Sequence, residues 1–383
     1  MIGDSKGTLE MLFDYNFKRY NVRVILYMLA LSFIGILAIW SATNQDKAMI
    51  AKQIMGIMVG LVFTIGLSLI DYHKMLALSP VIYLGSVVIL AAVLLFGKSR
   101  GVATRWIDLP VIGRIQPSEF VKIGLILFFS WYLNKYRENI NRLSVVGIAA
   151  ILFAVPIVLI LEQPNLSTAL VTTVIIMAVV FTAGISYKWI LGVLGAMVPL
   201  GTLFFYLLKQ GLIPFIEEYQ ANRILTWLNP ASDATGYYQQ ENSIMAIGSG
   251  QLFGKGLSTT EIASVKNGNF IAEGQTDFIF AIIGEEMGFV GALIVIGLFL
   301  ILVIECLLMA YRAKDLSGKL ICTGMATLFA FQGFANMAVA TGLFPNTGLP
   351  LPFVSYGVSS LLSLFIGMGF VINVGLQRRS GNQ

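Results

Sequence analysis

The sequence predicts an all-α integral membrane protein, a bundle of about ten transmembrane helices with a long extracellular loop between the seventh and eighth. Three observations predict it. Hydrophobic residues make up 57% of the 383 and charged residues only 12%, about half the roughly 25% of an ordinary soluble domain. Mean hydropathy is +0.82, more apolar surface than a soluble core of this length buries. A soluble enzyme, a disordered chain and a coiled coil are thereby excluded. The apolar stretches are also continuous rather than alternating, so they read as helices and no strands are expected.

In chain order, residues 1–22 form a cytoplasmic tail carrying Asp4, Glu10, Asp14 and Lys18-Arg19. The apolar run after Arg23 is about 19 residues, long for a signal-peptide core, and reads as an uncleaved first span over 24–42. Further spans are expected near 50–70, 76–96, 117–134, 143–161, 167–183, 189–208, 277–310, 320–342 and 356–376. The membrane domain thus covers 23–376, with 209–276 as its long outer loop and 377–383 as a second cytoplasmic tail. In the second span Gly56 and Gly60 read as a packing pair. Pro117 opens the fourth span at the first helical position. Cys306 and Cys322 lie in apolar segments without a CxxC pattern and read as small core residues. His73, in the short Asp71–Lys74 loop, has no second histidine or cysteine near it to form a zinc site. There is no internal repeat and no pair of inverted halves.

Net charge is +5. No basic stripe with interleaved aromatics is present, so nucleic acid is not an expected partner, and the positive-inside rule accounts for much of the excess. With the N-terminus inside, 14 of the 25 Lys and Arg residues are cytoplasmic, ten are outside, and Lys122 lies within a span. Both termini then face the cytoplasm. The outer ten are Lys47, Lys52, Lys98, Arg100, Arg105, Arg114, Lys209, Arg223, Lys255 and Lys266. Four of them crowd into residues 97–116, where an anionic ligand on the outer face is the simplest reason to keep them. The loop 209–276 carries Tyr219, Trp227, Tyr237, Tyr238 and Phe253, which argue against disorder. Short amphipathic helices on the outer leaflet would suit it.

Ionisable residues at membrane depth are candidates for function. These are Glu119, Lys122, Glu162, Asp277, Glu285 and Glu286, with Glu305 near the inner end. Glu119 and Lys122 stand at i, i+3, as a mutually neutralising pair, a buried support for a ligand site above them, or both. Thr276 is a plausible N-cap, which puts Asp277 in the first helical turn at the outer surface. It reads either as a capping acid favoured by the helix dipole or as a base walled by Phe278, Ile279 and Phe280. Asp277, Ala281, Gly284 and Gly288 fall on one helix face, a close helix contact or a groove for a lipid tail. Glu285 and Glu286 imply partners the sequence does not identify. GSGQLFGKG (248–256) hints at a phosphate loop, but three residues separate Gly250 from Gly254 where four are needed, and nucleotide binding is not expected.

The stretches GQTDFIFAIIGEEMGFVG (274–291) and LFPNTGLPLPFVSYGVSS (343–360) resemble the SEDS family (shape, elongation, division and sporulation). IQPSEFVKIGLILFFSWYL (115–133), RILTWLNP (223–230) and AIGSGQLFGKGL (246–257) agree with it, so the resemblance spans almost the whole chain. Residues 13–43 look more like the RodA-like elongation branch than the FtsW-like division branch. The sequence departs from the family pattern at Asn165, Ser167, Asn242 and Val358, none of which touches the T-D-F motif at 276–278.

The resemblance implies a peptidoglycan glycosyltransferase that polymerises lipid II on the outer face of the bacterial cytoplasmic membrane. Its partner would be a class B penicillin-binding protein acting as transpeptidase, alongside other elongation-machinery membrane proteins and membrane lipids. The family's catalytic aspartate falls on Asp277. Taken with the charge pattern, Asp277 would act as general base while cations neutralise an undecaprenyl diphosphate leaving group. Candidate substrate-binding residues are Arg105, foremost, then Lys98, Arg100, Arg114, Gln116, Glu119, Lys122, Arg223, Lys255 and Thr276. A divalent cation (Mg or Mn) could share the neutralising role, although no ligand cluster requires one. A lipid II flippase and a non-catalytic scaffold for the transpeptidase are the competing readings.

Overall fold

The structure is a computed structural model that describes residues 20–100, 103–109, 113–210, 212, 218–259, 264–268, 270–272 and 274–377. Both expected tails lie largely outside the described residues. The long helices follow the apolar runs. They are α1 (Val22–Ala42), α2 (Lys47–Leu69), α4 (Ser79–Phe96), α5 (Pro117–Lys135), α6 (Leu143–Glu162), α7 (Leu166–Thr182), α8 (Tyr187–Lys209), α11 (Ile279–Arg312), α12 (Leu316–Ala340) and α13 (Val358–Leu376). A short α3 (Tyr72–Ala77) joins α2 to α4, and α9 (Glu218–Leu228) and α10 (Ala234–Ser249) lie in the long loop. Among the described residues, eight helices are long and apolar enough to cross a membrane. The remaining two of the ten are α7, with 17 residues, and α5, which carries the buried Glu119 and Lys122. The chain is a multi-pass, all-helical membrane protein.

Burial is graded across the bundle. α5, α12 and α13 are buried almost all round and form the centre, whereas α4 and α6 turn most of their side chains outward, as lipid-facing helices do. Small residues set the close approaches. In α2, a Cβ at Gly60 would stand 2.6 Å from Phe365 of α13, and one at Gly56 would stand 3.2 Å from Leu361. The packing expected of this pair is observed. Cys306 and Cys322 are buried core residues.

Three findings differ from expectation. Residues 98–115 contain strands β1 (Lys98–Arg100), β2 (Ala103–Leu109) and β3 (Gly113–Ile115), antiparallel in the order β1-β2-β3, with Asp108 opposite Arg114. The rule that excludes open sheets holds within hydrocarbon; this sheet lies in the segment between α4 and α5, outside the long apolar helices to which the rule applies. The second concerns α11, whose first residue is Ile279; Phe278 is the N-cap and makes no side-chain cap. Thr276 is therefore not the N-cap, and Asp277 stands in the turn before the helix.

The third finding is a break in α11 at Gly288 (φ 64°, ψ −165°). The segment after α10 fills it. Phe289 and Val290 N–H groups donate to Gln251 O and Leu252 O (2.9 and 3.1 Å), while Lys255 and Gly256 N–H groups donate to Glu285 O and Glu286 O (both 3.0 Å). A broken helix at membrane depth needs such replacement partners. The glycines of GSGQLFGKG permit the approach, since a Cβ at Gly250 would lie 1.9 Å from Gly284 O. The face at Gly284 and Gly288 is therefore a protein contact and not a groove for a lipid tail.

At the opposite end, α3 docks on the starts and ends of other spans. Asp315 caps α12 through Gly318 N–H (2.8 Å) and accepts from Tyr72 Oη (2.8 Å). The two ring nitrogens of His73 reach Asp71 and Asp315, each at 2.8 Å.

Candidate active site

Asp277 is half-buried in the turn Gly274–Phe278, just before α11. Two side chains and one backbone N–H, from α12 and from the segment before α13, fix this turn by its carbonyls. Asn336 Nδ2 on α12 donates to Asp277 O (2.8 Å), Ser355 Oγ donates to Thr276 O (2.6 Å), and the Tyr356 N–H donates to Gln275 O (2.9 Å). Asn336 Nδ2 also donates to Leu349 O (2.7 Å). The irregular segment 341–357 is thus drawn against the turn, and Gly348 (φ +67°) faces the carboxylate: a Cβ there would sit 3.3 Å from Asp277 Oδ2 and 3.8 Å from Arg223 Nη1. Glycine suits both the left-handed backbone and the close approach.

Two guanidinium groups stand by this carboxylate. Arg223 on α9 donates from Nη1 to Asn346 O (3.4 Å), and its guanidinium carbon lies 5.6 Å from the centroid of the Tyr219 ring. Arg105 on β2 donates from Nε to Gln163 O (3.0 Å) and from Nη2 to Tyr219 Oη (2.8 Å). Burial holds the Arg105 pKa below its ordinary value; Tyr219 opposes that, and the charges of Arg223 and Asp277 act on it in opposite directions. An arginine so placed stays cationic. β2, α9 and the turn before α11 therefore bring Arg105, Arg223 and Asp277 into one electrostatic neighbourhood, although they are far apart in sequence.

The other expected site residues divide. Arg114 is exposed and pairs with Asp108 (3.2 Å) across the β2–β3 register, so it is committed to the sheet. Lys255 pairs with buried Glu285 (2.9 Å), whose carboxylate also accepts from the Val265 and Lys266 N–H groups. Lys266 pairs with Glu286 (2.7 Å), which also accepts from Ser41. These are the partners of the two glutamates, and they remove Lys255 from the expected set of phosphate ligands. Gln116 is the N-cap of α5; its N–H donates to Ser359 Oγ (3.0 Å) and its amide to Ser118 (3.1 Å). Glu119 and Lys122 form a fully buried pair (3.0 Å). Lys122 also donates to Gln332 Oε1 (3.1 Å), and Gln332 Nε2 donates to Pro350 O (3.0 Å). The pair supports the segment facing Asp277 from below and does not face the site. Glu162 is exposed at the end of α6. Lys98 and Arg100 contribute backbone to β1, and their side chains lie outside the described residues.

Tyr219, Asn336, Gly348 and Ser355 are the residues sequence reasoning missed. A buried Gln and Asn four residues apart on an apolar helix, Gln332 and Asn336, was the available signal. Among the described residues no group of three or more His, Cys, Asp or Glu side chains could hold a metal ion. A carboxylate beside two guanidinium groups is a donor set suited to anions, not to a resident divalent cation.

Comparison with known proteins bears on the family and the fold. The sequence model of the cell cycle protein family FtsW/RodA/SpoVE matches residues 21–380. The chain is 34% identical to the peptidoglycan glycosyltransferase MrdB of Escherichia coli K12, covering 93% of each. It is also 34% identical to the probable peptidoglycan glycosyltransferase FtsW of Trichlorobacter lovleyi, covering 94% of each. Among solved structures, a chain from work on the coordination of polymerization and crosslinking by a peptidoglycan synthase complex superposes with TM-score 0.77, at 28% identity, over 93% of this chain and 97% of that one. The rod shape determining protein RodA of Thermus thermophilus superposes with TM-score 0.67, at 26% identity, over 96% of this chain and 99% of that one.

Proposed function

The chain belongs to the FtsW/RodA/SpoVE (SEDS) family of cell cycle proteins, and we infer that it is a peptidoglycan glycosyltransferase polymerising lipid II at the outer face of the cytoplasmic membrane, with both termini cytoplasmic. The observation that carries the site assignment is the Asp277 carboxylate held against Gly348 with the Arg105 and Arg223 guanidinium groups nearby. Asp277 takes the proton from the acceptor sugar hydroxyl. That oxygen attacks C1 of the donor sugar with inversion, the C1–O bond to phosphate breaks, and undecaprenyl diphosphate leaves with the bonding pair. Arg105 and Arg223 oppose the charge that develops on the departing diphosphate, which lets a single carboxylate suffice where glycosidases use two. The proton then passes to water.

The elongation branch is the one we assign, and a class B penicillin-binding protein is the partner we assign to it. The superposition on a chain from a complex that couples polymerization to crosslinking supports that choice. The flippase reading rested on intramembrane charge, and the charges at Glu119, Glu285 and Glu286 are each paired with a lysine. The test is polymerisation of lipid II by the purified full-length chain in detergent, where no second leaflet exists. Glycan chains are expected from the parent, and a loss of about 10²–10⁴-fold in Asp277→Ala, the contribution of a general base. A folded Asp277→Ala with parental turnover would remove the assignment.

A further inference from the structure

We propose that Asn336 is a positioning residue for the Asp277 carboxylate, and that Gln332, Lys122 and Glu119 support it; this rests on the reading of Asp277 as base. Asn336 is 1% exposed, one turn above Gln332 on α12. Its single Nδ2 group donates to two carbonyls from different segments, Asp277 O at 2.8 Å and Leu349 O at 2.7 Å. Leu349 follows Gly348, whose backbone walls the carboxylate. One amide group therefore ties the turn that bears the carboxylate to the segment that limits where the carboxylate points.

The arrangement is costly unless the two donated bonds matter. Asn336 Oδ1 is buried with no hydrogen-bond partner among the described residues, and an apolar side chain would avoid leaving a desolvated acceptor. The amide orientation follows from its neighbours, since only the NH₂ end can face two carbonyl oxygens. One turn lower, Gln332 repeats the device. Its Nε2 donates to Pro350 O at 3.0 Å, and its Oε1 accepts from Lys122 Nζ at 3.1 Å. Glu119 balances that lysine. Segment 343–357 has no helix or strand of its own, so its buried carbonyls depend on these side chains for partners. Leu349 and Pro350 are consecutive, and both are held from the same face of α12.

A base displaced by a fraction of an ångström loses turnover more than substrate affinity. The experiment compares parent, Asp277→Ala, Asn336→Ala and Gly348→Ala as purified full-length proteins polymerising lipid II in detergent, with thermal unfolding recorded for each. The expected result is kcat lower by about tenfold to a hundredfold in Asn336→Ala, with KM for lipid II unchanged and the acidic limb of the pH–rate profile displaced. Gly348→Ala, which crowds the carboxylate from the exposed side, should show the same split. A folded Asn336→Ala with parental kcat, or with raised KM and retained kcat, overturns the proposal while an inactive Asp277→Ala leaves the base assignment standing. An active Asp277→Ala sinks both. Should Asn336→Ala fail to fold, Gly348→Ala decides: parental kcat there overturns the proposal.

Discussion

At the scale of single residues, the two site arginines differ in what they can give up. Arg105 has Nε and Nη2 committed to Gln163 O and Tyr219 Oη, so it ties β2 to the end of α6 and to α9. Arg223 makes one long bond and lies over Tyr219, which leaves its fork freer to meet an anion. A lysine keeps the charge and loses the planar fork. Arg105→Lys should therefore fall almost as far as Arg105→Ala in lipid II polymerisation, about tenfold to a hundredfold for lost charge-assisted bonds. Arg223→Lys should fall less than Arg223→Ala, and equal losses for the two Arg223 variants would show that its fork matters as well. The buried Glu119–Lys122 pair allows a different forecast. Removing one partner strands the other, so Lys122→Met should cost about 3–5 kcal/mol, and Glu119→Gln combined with Lys122→Met should recover much of it. Thermal unfolding in detergent reads both.

At the scale of elements, the long apolar helices were legible because lipid demands one thing of a backbone, a long apolar helix that satisfies itself. What fell between the spans was not. The sheet over 98–115 is built from three-residue and seven-residue strands, too short for a pattern to stand out beside apolar runs of about 20 residues. The break in α11 was hidden for the opposite reason. Gly288 sits within a long run that is apolar except for Glu285 and Glu286, and nothing local says that Gln251 O and Leu252 O will replace the missing helical acceptors. Asp277 was a candidate site residue from its motif, but its place before the helix was not legible, because that turn is set by tertiary bonds from Asn336, Ser355 and Tyr356. The interlock between the 250–256 segment and α11 makes its own prediction. A Cβ at Gly250, Gly254 or Gly288 would lie 1.9, 2.1 or 2.3 Å from backbone atoms of the opposite segment, whereas one at Gly248 meets nothing within 4 Å. Alanine at the first three should destabilise by at least about 2 kcal/mol. Gly248→Ala, in the helical α10, should be neutral or stabilising by about 0.4–1 kcal/mol. Unfolding midpoints that fail to separate Gly248 from the other three would mean the interlock is loose.

At the scale of the whole molecule, the end of the bundle opposite Asp277 is tied by an ionisable cluster. His73 bridges Asp71 and Asp315, Tyr72 Oη donates to Asp315, and Gln377 Nε2 donates to Asp71 (3.0 Å), so α3, the start of α12 and the end of α13 are joined there. Burial alone would lower the His73 pKa, but hydrogen bonds and charge from Asp71 and Asp315 outweigh it and raise the imidazole above its ordinary value of 6.5. For Asp71 and Asp315, burial raises the pKa. Bonds from Gln377 and His73 outweigh it in Asp71, and bonds from the Gly318 N–H, Tyr72 and His73 outweigh it in Asp315, so both end below the usual carboxylate value. The signs are opposite. A raised imidazole stabilises fully below its unfolded pKa and loses that contribution as pH rises through its folded value; lowered carboxylates stabilise above their unfolded pKa and lose it as pH falls through their folded values. This end of the bundle should therefore be firmest from mildly acidic pH up to the usual imidazole value and should weaken as pH rises from there through the raised one. The unfolding midpoint of the full chain in detergent is expected to decline as pH rises past the ordinary imidazole value of about 6.5. His73→Gln, which keeps hydrogen-bonding capacity without the titrating charge, should flatten that decline and leave the acidic limb to the two aspartates. A decline of the same size in His73→Gln would place the alkaline sensitivity elsewhere in the molecule.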